Sequence, residues 1–199
     1  MTLRLAFAGF RHFHILDLYE YAAKSPRMDV VAAAEDHRQT ASEVAKKGVA
    51  LTHGTVERML QEADSFDAVA IGDYYGRRGS LAIAALEAGK HVILDKPICT
   101  DLDELEQIAG LSRERGLVVG CMLNSRDTGQ FITLKTQIAD GVIGSIQAIS
   151  FLGHHPLLFG TRASWYFEEE KQGGTINDIA IHAIDLIPWL TGKSISEVV

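Results

Sequence analysis

Residues 80–97 read SLAIAALEAGKHVILDKP. Leu81, Ala82, Ala85 and Leu86 recur at helical spacing, and Gly89 closes that run as a helix C-terminus. HVILD (91–95) follows as a short, nearly continuous apolar stretch, and Asp95, Lys96 and Pro97 end it together. A strand with no polar alternation is buried on both faces, as in a parallel sheet covered by helices. Pro97 cannot extend the ladder and pushes Lys96 out of helical geometry. The lysine is therefore delivered at the carboxyl end of a buried strand, or else it is an exposed lysine in an ordinary turn.

The same alternation extends in both directions. LRLAFAG (3–9), MDVVAAAE (28–35), VALT (49–52), DAVAIG (67–72) and LVVGCML (117–123) complete a set of six predicted strands with HVILD. Helical patterns lie between them: about 13–24 ended by Ser25-Pro26, 38–47 before Gly48, 55–63, 80–89, and a helix through Arg115 with Thr100 and Asp103 as its capping box. This is an α/β Rossmann fold, a doubly wound parallel sheet over residues 1–123. The pattern then changes. A helix is expected over 129–140, a half-exposed strand over 145–153, a loop rich in histidine, glycine and aromatics over 153–174, and an amphipathic helix over 175–190 kinked or ended near Pro188. The KSISEVV segment starts another strand. Residues 124–199 read as a partial C-terminal α/β domain with an open, incomplete sheet.

Bulk properties narrow the function. The 199-residue chain has a formal charge of −7, which argues against nucleic acid and anionic membrane surfaces. No apolar run is long enough to span a bilayer. The two cysteines, Cys99 and Cys121, form no CxxC pair and sit in apolar surroundings, consistent with buried thiols in a reducing cytoplasm.

In a doubly wound sheet, ligands bind beyond the carboxyl ends of the strands beside strand one. There the chain reads Gly9-Phe10-Arg11-His12-Phe13-His14, which keeps one glycine of the dinucleotide fingerprint. The helix N-terminus that follows can hold an anion through its amides, and Arg11 can add a bidentate phosphate contact; a plain βα turn is the alternative. Glu35 and Asp36 end the second strand, where a carboxylate would bind an adenosine ribose and favour NAD, with Arg38 nearby leaving NADP possible. Asp178 and His182 stand four apart on one predicted helix face after Gly173-Gly174, which suits an acid–base pair. A surface ion pair or a core histidine would give the same spacing. His154, His155, Asp178 and His182 lack metal-ligand spacing, and no metal is expected.

Together these segments make the chain resemble the glucose–fructose oxidoreductase / inositol dehydrogenase / MocA family. Within residues 79–126, ALEAGKHVILDKP resembles its lead-in, with Asp95-Lys96-Pro97 similar to its Glu-Lys-Pro motif, and Asn124-Ser125-Arg126 resembles its segment after strand six. Gly173-Gly174…Asp178-x-x-x-His182 resembles its second motif. The resemblance implies a Rossmann domain for NAD(P) followed by an α/β substrate domain, and hydride transfer to or from a carbohydrate-like alcohol or ketone. It implies that Lys96 contacts the reacting hydroxyl and the cofactor, that His182 is the acid–base, and that Asp178 binds substrate or orients His182. Gly9, Phe10, Arg11 and His12 would hold pyrophosphate, Glu35 and Asp36 the ribose, and Asp95, Pro97 and Asn124 would border the cofactor. His155, Arg162 and Trp165 of the 153–174 loop are expected to touch substrate. Arg78 stands where members often carry a histidine. Members are longer, so the resemblance implies an incomplete pocket in a lone chain, either a fragment or a short relative, and a homo-oligomer through the C-terminal sheet. The competing expectations are a catalytically silent nucleotide- or sugar-binding module and, third, a metal-dependent hydrolase.

Overall fold

The computed structural model describes residues 2–198. Five parallel strands form one sheet: β1 (Leu3–Ala8), β2 (Met28–Ala34), β3 (Ala68–Ile71), β4 (His91–Asp95) and β5 (Val119–Met122), in the order β2-β1-β3-β4-β5. The chain crosses over through α1 (His14–Lys24), α2 (Arg38–Lys46) with α3 (Val56–Leu60), α4 (Tyr75–Glu87) and α5 (Leu102–Arg115). Alternation along the strands divides the core into two layers. Ala6, Ala8, Val69, Ile71, Val92 and Leu94 pack with Leu81, Ala85, Leu86 and Ile108. Leu5, Phe7, Ala68 and Ala70 pack with Ile15, Tyr19 and Val44 on the other side.

Two expectations change here. VALT does not form a strand; the segment reaches the sheet through a single bridge from His53 to Ala34, with the Thr52 and His53 amides on the Ala33 carbonyl. The stretch is too short to build a ladder after the turn at Gly48. The cap of α5 lies one residue later than expected: Asp101, not Thr100, accepts the Glu104 amide at 3.0 Å. At the other end Gly116 takes the left-handed conformation, φ 64°, that the C-terminal glycine anticipates.

The chain divides into two compact units. The first runs to Met122 and includes Ser164–Gly173; the second comprises Leu123–Ala163 and the chain from Gly174. Within the first, the short α7 (Glu169–Gln172) docks on α4 because Gly76 has no side chain: a Cβ there would lie 2.1 Å from the Glu170 carbonyl oxygen. Within the second, α6 (Gly129–Ala139) packs against α8 (Ile181–Thr191), and the Lys135 ammonium lies 4.1 Å from the Trp189 ring centre. Pro188 sits inside α8 rather than ending it. Residues 145–153 and 193–198, predicted as strand, pair with nothing in a ladder, and Val199 lies outside the described residues. A strand needs a hydrogen-bonded neighbour, and alternation alone does not supply one.

Candidate functional site

The turn after β1 is built from the sheet outward. Gly9 sits at φ 75°, and a Cβ on it would come within 2.8 Å of Asp73 Cβ at the end of β3. Its amide donates to Ala34 O at 3.0 Å, and the His12 amide donates to Gly72 O at 2.9 Å. Glu35 is 3% exposed, with its carboxylate accepting the Phe10 and His37 amides, both at 2.7 Å. Burial raises the Glu35 pKa against those amide bonds. Instead of offering a carboxylate to a ribose, Glu35 ties β2 to the turn, and Phe10 is buried beneath it. The exposed carboxylate of the pair is Asp36, held by Arg11 at 2.9 Å and Arg77 at 2.6 Å.

These residues fit a dinucleotide. The Arg11 Nε is buried and has no hydrogen-bond partner among the described residues, with Asp73 Oδ1 3.3 Å away. An unsatisfied guanidinium donor at the entrance of α1 matches a phosphate oxygen. The Gly9 cradle closes on the polypeptide if a side chain is added. Asp36, two residues past β2, is bracketed by two cations, so that a ribose hydroxyl or a 2′-phosphate would each find a partner there.

At the end of β4, Asp95, Lys96 and Pro97 are buried, and the Lys96–Pro97 peptide bond is cis. Arg78 of α4, fully buried, holds this turn. Its Nε donates to Asp73 O at 2.8 Å, its Nη1 to Asp95 O at 3.0 Å, to Pro97 O at 3.1 Å and to Lys96 O, and its Nη2 to Asp95 Oδ2 at 3.2 Å. Lys96 is 1% exposed, with its ammonium 5.7 Å from the Tyr75 ring centre. A single arginine thus fixes the backbone of all three motif residues. The available signal was the Arg77-Arg78 pair near the start of α4, and nothing in its spacing named the partners of either.

His12 points inward. It is 1% exposed, its Nδ1 bonds Asp95 Oδ2, and its Nε2 lies 3.3 Å from the Tyr75 hydroxyl. The imidazole is therefore a wall residue under the turn, not a pyrophosphate contact. His14 Nδ1 lies 3.3 Å from the other Asp95 oxygen. His12, His14 and Asp95 bring ligand atoms within 4.8 Å of one another. The Arg78 guanidinium already supplies the positive charge to that carboxylate, so hydrogen bonding accounts for the cluster. Trp165 and Tyr166 cover it: their rings stack at 3.9 Å, Trp165 Nε1 donates to Arg11 O at 3.4 Å, and the Tyr166 and Tyr75 hydroxyls are 3.2 Å apart. Trp165, expected among substrate contacts, is 5% exposed and packs on the β1 turn.

Burial pulls the His12 pKa down to about 4 although Asp95 opposes it. Burial would raise Asp95, but the His12 and His14 hydrogen bonds and Arg78 hold it below the usual carboxylate range. Below the ordinary histidine value near 6.5, the unfolded chain binds a proton at His12 that the native state refuses. Stability therefore rises with pH between about 4 and 6.5, by on the order of 3 kcal/mol across that window. Asp95 adds a loss of the same sign at still lower pH. Thermal melts from pH 7 to 4.5 should fall steeply for the wild type and more shallowly for His12→Gln; parallel slopes would remove His12 as the cause.

In the second unit, Asp178 lies in a π turn (Ile176–Ala180) and is 5% exposed, and His182 opens α8. Single π turns inside helices recur at functional sites. The Ser125 hydroxyl lies 3.3 Å from His182 Nδ1, and Arg126 forms a two-pronged pair with Asp185, Nε to Oδ2 at 2.6 Å. Those pairs anchor the 124–127 turn to α8. Asn124 is exposed on that turn. His155 is exposed and, with His154, Phe131, Ile179 and His182, lines a groove of about 410 Å³. Arg162 is half-buried, its amide bonded to Leu158 O at 2.9 Å.

Comparison with known proteins agrees with this architecture. Residues 3–123 match the oxidoreductase family described as having an NAD-binding Rossmann fold, and residues 131–199 match the GFO/IDH/MocA C-terminal domain. A 1,5-anhydro-D-fructose reductase of Ensifer adhaerens is 28% identical over 155 residues, 77% of this chain and 46% of that protein. The NADP+-dependent scyllo-inositol 2-dehydrogenase IolW of Bacillus subtilis is 30% identical over 112 residues, 55% of this chain and 30% of that protein. The crystal structure of myo-inositol 2-dehydrogenase from Lactobacillus plantarum superposes with a TM-score of 0.80 at 25% identity, covering 96% of this chain and 57% of that one. The chain spans less than half the length of these curated relatives.

Proposed function

Since the chain belongs to the GFO/IDH/MocA family of oxidoreductases with an NAD-binding Rossmann fold, we propose that it takes part in hydride transfer between a nicotinamide and a sugar- or polyol-like alcohol or ketone. Its cofactor is NAD(P). When bound, that cofactor supplies the hydride acceptor or donor. The observation that carries the proposal is Lys96, a lysine at the carboxyl end of β4 whose backbone turn is held by a buried arginine, on the sheet edge that also carries the β1 turn.

In this reading Lys96 donates a hydrogen bond to the substrate oxygen and stabilises negative charge on it. His182, its ring oriented by Ser125, takes the hydroxyl proton during oxidation and returns it during reduction. Asp178 binds a substrate hydroxyl or tunes His182. Arg11 and the first amides of α1 receive the pyrophosphate, Asp36 the ribose, and Asp95, Pro97 and Asn124 border the cofactor. His155 and Arg162 contact the substrate, with Trp165 shaping the wall. The protein works in the cytoplasm as a homo-oligomer joined through its C-terminal part. Among the described residues no helix is long and apolar enough to cross a membrane.

A second reading is a binding module without turnover. The Phe10 and His12 amides, already bonded within the protein, favour it, because they do not reach a pyrophosphate. NADH and NADPH fluorescence titration, followed by NAD(P)+ reduction over a panel of inositols, aldoses and anhydrosugars, separates the two. Binding with turnover supports the oxidoreductase, binding alone supports the module, and no binding defeats both.

A further inference from the structure

Arg78 fixes the backbone of the turn at Lys96. Backbone bonds do not aim a lysine head, which sits on a flexible four-carbon stem. Lys96 is nonetheless 1% exposed, so its ammonium is taken out of water and needs compensation within the protein. One group that meets it is Tyr75: the Lys96 Nζ lies over the tyrosine ring, 5.7 Å from its centre. Strand register brings the two together. Ile71 of β3 pairs with Leu94 of β4, so Tyr75, the first residue of α4, and Lys96, the residue after β4, follow the same end of neighbouring strands. We propose that Tyr75 is a positioning residue for the reaction: its ring holds the Lys96 ammonium by a cation–π contact in the place from which it meets the substrate oxygen.

The ring is itself built to keep its place. Tyr75 is fully buried, with its hydroxyl 3.3 Å from His12 Nε2 and 3.2 Å from the Tyr166 hydroxyl. The Trp165 ring crosses it at 70° with centres 5.1 Å apart, and the His12 ring at 66° with centres 5.4 Å apart. His12 is anchored in turn on Asp95. The Asp95 carboxylate is taken up by Arg78, His12 and His14. An aromatic face carries negative charge, and it attracts a cation most strongly where water is excluded. Two cations use this one: the Arg78 guanidinium carbon lies 4.6 Å from the same ring centre. Arg78 therefore sets the backbone on which Lys96 stands and also touches the ring that receives its head. The Tyr75 hydroxyl orients the ring, and the ring serves the ammonium. Position matters here because displacing a reacting group by about 1 Å can cost about 10²-fold in rate.

The inference rests on the oxidoreductase reading, which gives Lys96 its role, and two measurements separate their fates. Tyr75→Phe removes the hydroxyl and keeps the ring, whereas Tyr75→Leu removes both. Trifluorophenylalanine in place of Tyr75 keeps the shape of phenylalanine and withdraws the negative charge from its face. With NAD+ and myo-inositol, the leucine and trifluorophenylalanine variants should lose about tenfold in kcat relative to Tyr75→Phe, with KM and NADH affinity within about twofold. Loss of packing alone would not separate two aromatic rings of one shape. Equal kcat in the phenylalanine and trifluorophenylalanine variants, with wild-type turnover intact, overturns the proposal and leaves the oxidoreductase standing. The second measurement needs no turnover. NMR of ¹³C-lysine-labelled protein follows the Lys96 ε-methylene, identified as the signal absent from Lys96→Met. The ring should shift that signal upfield in the wild type and in Tyr75→Phe, and Tyr75→Leu should return it to the position of exposed lysines. An unshifted signal in the wild type overturns the proposal even where the leucine variant does not fold. If the wild type reduces no NAD+ with any inositol or sugar, the oxidoreductase reading fails, and the lysine signal alone decides whether the ring holds the ammonium.

Discussion

Replacing Arg78 by alanine should lower the stability of the chain by about 3–5 kcal/mol, the cost of leaving a buried charge without its partner. The side chain is fully buried and bonds four backbone carbonyls and one carboxylate. Removing it leaves the buried Asp95 carboxylate without its guanidinium partner, and it leaves the carbonyls of the turn without donors in a place water does not reach. Each such orphaned group costs about 1–3 kcal/mol. Against a total of about 5–15 kcal/mol for an ordinary domain, the loss is large. Arg78→Lys should recover only part, because a point charge on a flexible stem cannot span the acceptors that the planar guanidinium meets together. Urea unfolding followed by circular dichroism reads the difference. A loss below 1 kcal/mol in the alanine variant would show that the turn does not depend on this arginine.

Lys96→Met should reduce turnover by about 10²–10⁴-fold, the range for loss of a positioned proton-transfer or charge-stabilising group. Methionine keeps the apolar stem in its buried slot, so that folding is preserved while the ammonium is removed. The expected signature is a fall in kcat with thermal stability within a few degrees of wild type. Turnover unchanged within twofold would take Lys96 out of the chemistry and leave it as a structural residue of the β4 turn.

The strands of the sheet were legible because burial on two faces demands unbroken apolar runs, and Gly89 and Gly116 mark the ends of the helices that precede β4 and β5. Lys96 was legible because proline after a strand end permits few arrangements. Glu35 was not: a carboxylate ending the second strand looks the same in sequence whether it meets a ribose or the Phe10 amide. VALT failed as a strand because it is too short to build a ladder, and residues 145–153 because alternation specifies a face and not a neighbour.

The amino-acid sequence alone determined the doubly wound domain and the place of Asp95-Lys96-Pro97 at a strand end, since these depend on hydrophobic period and local backbone preference, and its motifs carried the resemblance to the GFO/IDH/MocA family. Only the tertiary structure decided what Arg78 holds, that His12 turns inward to Asp95, and that Trp165 and Tyr166 belong with the first unit. Those partners stand between 17 and 154 positions apart along the chain. Hydrogen bonds over such separations are set by how buried groups find donors once helices pack on the sheet, and no local pattern encodes that choice.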